Sequence, residues 1–140
     1  MNSTTVAIIG AKNTGKSSLA TRLAYSKCKE IESGISDIYN RKLVSGILEV
    51  LDGSNDFNEN SDFVKKTQYL IVCFSNTEET TEMLNLAFAQ RGGEKLKQCW
   101  VLGLLNQVQG AFDRFDAICL DADAKNGVGL NSIYTQLGIK

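Results

Sequence analysis

The sequence predicts one α/β domain around a mostly parallel β-sheet of about six strands, with helices on both faces and one antiparallel edge strand. Three observations lead there. Short, nearly all-apolar runs recur along the chain, as expected of strands buried on both faces. Stretches with apolar residues at helical spacing stand between those runs. The segment Gly10-Ala11-Lys12-Asn13-Thr14-Gly15-Lys16-Ser17 fits GxxxxGK(S/T), a pattern that joins a buried strand to the start of a helix.

The elements follow in order. Val6-Ala7-Ile8-Ile9 reads as a buried strand ending at Gly10. From Lys16 to about Glu30, Leu19, Ala20, Leu23 and Ala24 mark one helical face. Arg41 to Val44 and Ile47 to Leu51 form a hairpin around the two-residue turn Ser45-Gly46. Asp52 to Asp62 is acidic, rich in Asn and contains Gly, so it reads as a loop. A short helix begins at Asp62 with Ser61 as its cap. Tyr69 to Phe74 is the next buried strand. Ser75 to Glu78 matches a capping box, and the helix it opens runs to the Gly92-Gly93 stop. Cys99 to Leu105 and Ala117 to Leu120 are the last strands. Leu130, Ile133, Tyr134 and Leu137 form the apolar face of a final helix that Gly138 ends.

Bulk properties narrow the function classes. The 140 residues suit one compact domain, 1–140. A net charge of −1 gives no electrostatic footprint for nucleic acid. The absence of histidine excludes His-dependent nucleophilic catalysis and most zinc chemistry. The four cysteines, at 28, 73, 99 and 119, have no CxxC spacing, and three of them lie inside apolar runs. They read as buried, reduced thiols. No apolar run is long enough to span a bilayer, and the polar start Met1-Asn2-Ser3-Thr4-Thr5 has no cationic signal segment. Position 2 lacks the Gly needed for myristoylation, and no Cys near the C-terminus offers a prenylation site. The expectation is a cytoplasmic chain with no direct membrane anchor.

The strongest chemical signal is the glycine-rich loop, and it predicts a P-loop NTPase fold. Its glycines let the backbone wrap phosphate groups, and the helix that follows presents N–H donors and a positive dipole end. Asn13, Thr14, Gly15 and Ser18 are expected to line the phosphates. Lys16 is expected to place its ammonium on the β- and γ-phosphates, and the Ser17 hydroxyl to ligate Mg²⁺.

Beyond the loop, the chain resembles the Ras-like small GTPases over nearly its whole length. Ile35-Ser36-Asp37-Ile38-Tyr39 resembles the effector segment of the first switch. Ile47-Leu48-Glu49-Val50-Leu51-Asp52 resembles the strand that ends in the metal-site aspartate. Asn106-Gln107-Val108-Gln109 stands where the family has NKxD, and Asp123-Ala124-Lys125 where it has SAK. The resemblance implies GTP or GDP with Mg²⁺ as ligands. It implies Ser17 and Asp52 at the metal, and Asn106, Gln107, Gln109, Ala124 and Lys125 around the base. It also implies protein partners that dock on residues 33–42 and 52–66.

The departures from the family are specific. DxxG reads Asp52-Gly53-Ser54-Asn55, and Asp56 replaces the catalytic glutamine. The first-switch threonine falls on Gly34, with Ser33 and Ser36 as alternatives. Gln109 replaces the base-reading aspartate. The stretch from Gln109 to Asp121 is too short for the helix usual there, so the helix before the last strand is expected to be reduced or missing. Together they predict retained phosphate binding, weaker base reading and slow or absent hydrolysis. Two readings from different classes follow: a divergent GTP-binding switch or adaptor, and a pseudo-GTPase scaffold that uses the fold as an interaction surface. A small P-loop kinase is a third, disfavoured because no Arg-rich lid or acceptor-binding segment is evident.

Overall fold

The computed structural model describes residues 2–10, 16–25, 37–43, 46–52, 61–92, 96–103, 115, 117–121 and 129–138. They form β1 (Asn2–Gly10), α1 (Lys16–Tyr25), β2 (Asp37–Lys42), β3 (Gly46–Asp52), α2 (Ser61–Lys66) and β4 (Tyr69–Cys73). They continue with α3 (Thr77–Arg91), β5 (Gln98–Gly103), β6 (Ala117–Asp121) and α4 (Asn131–Leu137). The strands make one six-stranded sheet in the order β2-β3-β1-β4-β5-β6. The β2–β3 pair is antiparallel and the other pairings are parallel.

Side chains alternate across this sheet and divide the core in two. Val6, Ile8, Leu48, Val50, Ile71 and Trp100 pack with Leu19 and Leu23 of α1 and with Ile133 and Leu137 of α4. Ala7, Ile9, Leu51, Leu70, Val72 and Val101 pack on the other face with Val64 of α2 and Leu84 and Ala87 of α3. Every residue of β4 is buried, which matches its unbroken apolar run. The helices therefore cover both faces of the sheet.

Several boundaries differ from the sequence reading. β1 begins at Asn2, four residues before the apolar run, because Asn2 to Thr5 pair with Gly46 to Glu49 of β3. The hairpin closes between Leu43 and Gly46, whose N–H and C=O groups bond each other at 2.7 and 3.4 Å. Gly46 is thus the first residue of β3 and not part of the turn. The cap of α3 is Asn76, one residue later than expected, and its side chain accepts from the Glu79 N–H at 2.8 Å. The Glu79 carboxylate accepts in return from Ser75 Oγ at 3.2 Å and Asn76 Nδ2 at 3.1 Å. Gly92, at φ 59°, ends α3, and Gly138, at φ 79°, ends α4. Both need the left-handed conformation that glycine adopts at little cost. The helix expected to be missing before β6 falls on residues outside those described. Phe115 is the one described residue between β5 and β6, and it packs edge-to-face on Phe88 with centroids 5.3 Å apart.

Candidate functional site

Five of the six strands run the same way, so their carboxyl ends share one edge of the sheet. Register aligns that edge. Ile8 stands opposite Asp52, Gly10 opposite Cys73, Cys73 opposite Leu102, and Gly103 opposite Asp121. Every segment singled out from the sequence leaves the sheet here. Gly10 opens the glycine-rich loop, and Asp52 closes β3. Asn106 follows Gly103 by three residues, and Ala124 follows Asp121 by three. The sheet brings the strand ends Gly10, Asp52, Gly103 and Asp121 to one edge, although they are spread over more than a hundred residues of chain.

The connections diverge at the same place. From β1 the chain passes through α1 to the β2–β3 side, and from β4 it passes through α3 to the β5–β6 side. The two helices lie on opposite faces of the sheet. Such a switch point leaves a crevice outside the carboxyl ends of the two strands, where open α/β sheets bind their ligands. β1 ends at Gly10 on that edge, and α1 starts six residues later at Lys16, so the amino end of a ten-residue helix follows the central strand directly.

Asp52 is the last residue of β3 and is 1% exposed. As expected from the likeness of Ile47 to Asp52 to a strand ending in this aspartate, the ladder to Ile8 of β1 and Asp37 of β2 holds it in the sheet, and the loop read from Asp52 to Asp62 does not include it. It shares its face with Leu48 and Val50, the face that α1 covers. A carboxylate this buried needs polar or cationic company, and Asp52 is engaged within the fold. Ser18, in the first turn of α1, is half-buried and also engaged. The backbone of Lys16 and Ser17 opens α1, but their side chains lie outside the described residues. So do Asn13, Thr14, Gly15, Asp56, Asn106, Gln107, Gln109, Ala124 and Lys125.

One contact at this edge has no signal in the sequence. A Cβ on Gly103 would meet the Phe74 Cβ at 2.9 Å. The Phe74 N–H donates to the Leu102 carbonyl at 2.7 Å, so neither backbone is free to give way. Gly103→Ala is expected to destabilise the fold by about 1–3 kcal/mol, the usual cost of overpacking. Urea unfolding would show a lower midpoint with an unchanged slope. An unchanged midpoint would mean that β4 and β5 separate easily at this end.

Cys73 and Cys99 are buried and Cys119 is half-buried. Burial pushes the Cys99 thiol up to about 12; nearby Cys119 adds to the rise and Arg91 opposes it. Cys99 is therefore a protonated, inert thiol at neutral pH. Away from the carboxyl edge, a groove of about 370 Å³ lies between the β5–β6 edge and α4, floored by Trp100, Ile118 and Leu120. Among the described residues no cluster of three or more metal-ligating side chains occurs. No described helix is long and apolar enough to cross a membrane. No protein-family model matches the chain, and no curated protein matches it.

Proposed function

We propose that this chain is a divergent Ras-like protein with a P-loop NTPase fold that binds GTP or GDP with Mg²⁺ and acts as a slow switch or adaptor for protein partners. The observation that carries this reading is the position of the GxxxxGK(S/T) segment. It leaves the central strand β1 at the switch point of the sheet and runs into α1 at Lys16. On this reading the loop's backbone N–H groups, the amino end of α1 and the Lys16 ammonium would hold a polyphosphate.

The donor set suits Mg²⁺, a hard cation that takes oxygen ligands. Ser17 would supply a hydroxyl from the first turn of α1, and Asp52 a buried carboxylate from the same side of the sheet, acting through water. The ion would neutralise phosphate charge. Asn106, Gln107 and Gln109 beyond β5 and Ala124 and Lys125 beyond β6 would meet the base. Gln109 offers a neutral acceptor in place of a carboxylate, which weakens the preference for guanine over adenine. Partners would dock on residues 33–42 and 52–66.

Chromatography of nucleotide released from the purified protein tests the reading. Stoichiometric GDP or GTP is the expected result. A nucleotide-free protein that also fails to bind added GTP would leave the scaffold reading, which the departures at Asn55, Asp56 and Gln109 favour.

Intrinsic hydrolysis is expected to be slow. The attacking water needs a residue that both accepts its proton and donates to the developing charge, and an ionised Asp56 only accepts. Its negative charge also opposes charge developing on the γ-phosphate. Single-turnover decay of bound GTP should fall below the roughly 10⁻⁴ s⁻¹ of an unassisted small GTPase. A rate at or above that value would assign the water to another residue, with Glu59 the nearest acidic candidate in sequence.

A further inference from the structure

Arg91, the last residue of α3, is 5% exposed. Its Nη1 donates to the carbonyl oxygens of Val64 at 2.8 Å, Lys65 at 3.3 Å and Thr67 at 2.7 Å. These carbonyls belong to the end of α2 and the residue just past it. They are among the groups that a helix leaves without donors of its own, where a cation is also favoured by the helix dipole. The neighbouring chain is tied as well. Thr67 Oγ1 donates to the Tyr69 carbonyl at 2.9 Å. The Gln68 N–H donates to Thr5 Oγ1 at 2.9 Å, and the Gln68 carbonyl accepts from the Lys97 N–H at 2.8 Å.

A helix of six residues is far too short to persist by itself, so α2 depends on these ties and on buried Val64. Its outward residues Lys65 and Lys66 are exposed. We propose that Arg91 is a positioning residue that pins the carboxyl end of α2, so that this part of the partner-facing segment 52–66 keeps one orientation whatever nucleotide is bound. The proposal rests on the nucleotide reading above. The surface around Lys65 and Lys66 is then constitutive.

Amide hydrogen exchange of the full chain tests this, in the nucleotide-free, GDP-bound and GTP-analogue-bound forms. In the native protein the amides from Phe63 to Thr67 should exchange at the same rate in both loaded forms. Arg91→Met should speed their exchange about tenfold or more, as loss of charge-assisted hydrogen bonds implies, while β4 and β5 stay protected. In that variant the rates should also begin to differ between the two loaded forms, which a merely structural role would not produce. Arg91→Lys, whose ammonium reaches the same carbonyls, should restore most of the protection and bring the two rates together. If Arg91→Met does not fold, the native protein and Arg91→Lys decide between the outcomes. A nucleotide-dependent rate in native α2, or an unchanged rate in Arg91→Met, would overturn the proposal. So would faster exchange in Arg91→Met that is equal in the two loaded forms. Failure of the protein to bind nucleotide would remove the nucleotide reading instead, and exchange in the nucleotide-free variant would still report whether the pin exists.

Discussion

Lys16→Ala is expected to weaken nucleotide binding by roughly 2–4 kcal/mol, about thirtyfold to a thousandfold in Kd. Lys16 opens α1 directly after the glycine-rich loop, at the carboxyl edge of the sheet. On the proposed reading a polyphosphate there would be held by backbone N–H groups, which alanine retains, and by one ammonium, which it removes. The lost contact would be charge-assisted and partly desolvated, so worth more than a surface ion pair. The fold itself should tolerate the change, because alanine is the better helix former. Titration calorimetry with GDP and Mg²⁺ on both proteins measures the difference, and circular dichroism checks that α1 survives. Equal affinities would show that the loop is not a phosphate site.

Trp100→Ala is expected to cost about 3–5 kcal/mol of folding stability, a large part of the 5–15 kcal/mol typical of a domain. Trp100 is 1% exposed on β5, between Ile71 of β4 and Ile118 of β6 in register. Its ring stacks on Tyr69 with centroids 5.7 Å apart and planes 14° from parallel. It belongs to the core cluster on the face that α4 covers and lies beside that helix, so truncation opens a cavity under α4. Phenylalanine keeps an aromatic ring there and should recover much of the loss. Denaturant unfolding followed by circular dichroism gives both values. Fluorescence is no substitute, because Trp100 is the sole tryptophan. A cost below about 1 kcal/mol would mean that α4 collapses readily into the space.

Features that depend on neighbouring residues were legible along the chain. Tyr69 to Phe74 read as a buried strand; Tyr69 to Cys73 form it and are all buried, while Phe74 follows it half-buried. The apolar face of α4 was legible as Leu130, Ile133, Tyr134 and Leu137; Leu130 stands just before the helix, and all but the half-buried Tyr134 are buried. The stops at Gly92 and Gly138 were legible because glycine reaches positive φ without a Cβ clash. The glycine-rich motif could be set after β1 for the same reason, since its flanking periodicities are local.

The rest depended on contacts between residues far apart in the chain. Strand order is a choice among distant partners, and no local signal states that β1 lies between β3 and β4. That choice creates the switch point beside Gly10. It also turned the polar stretch from Asn2 to Thr5 into strand, because β3 offered a ladder there. It buried Asp52 at the end of β3, since burial is set by what packs around a residue and not by its own polarity. Arg91 shows the same limit. In sequence it is a cation in the last turn of a helix, a place where surface arginines are common. Its role came from α2, whose carbonyls reach it across 24 to 27 residues of chain.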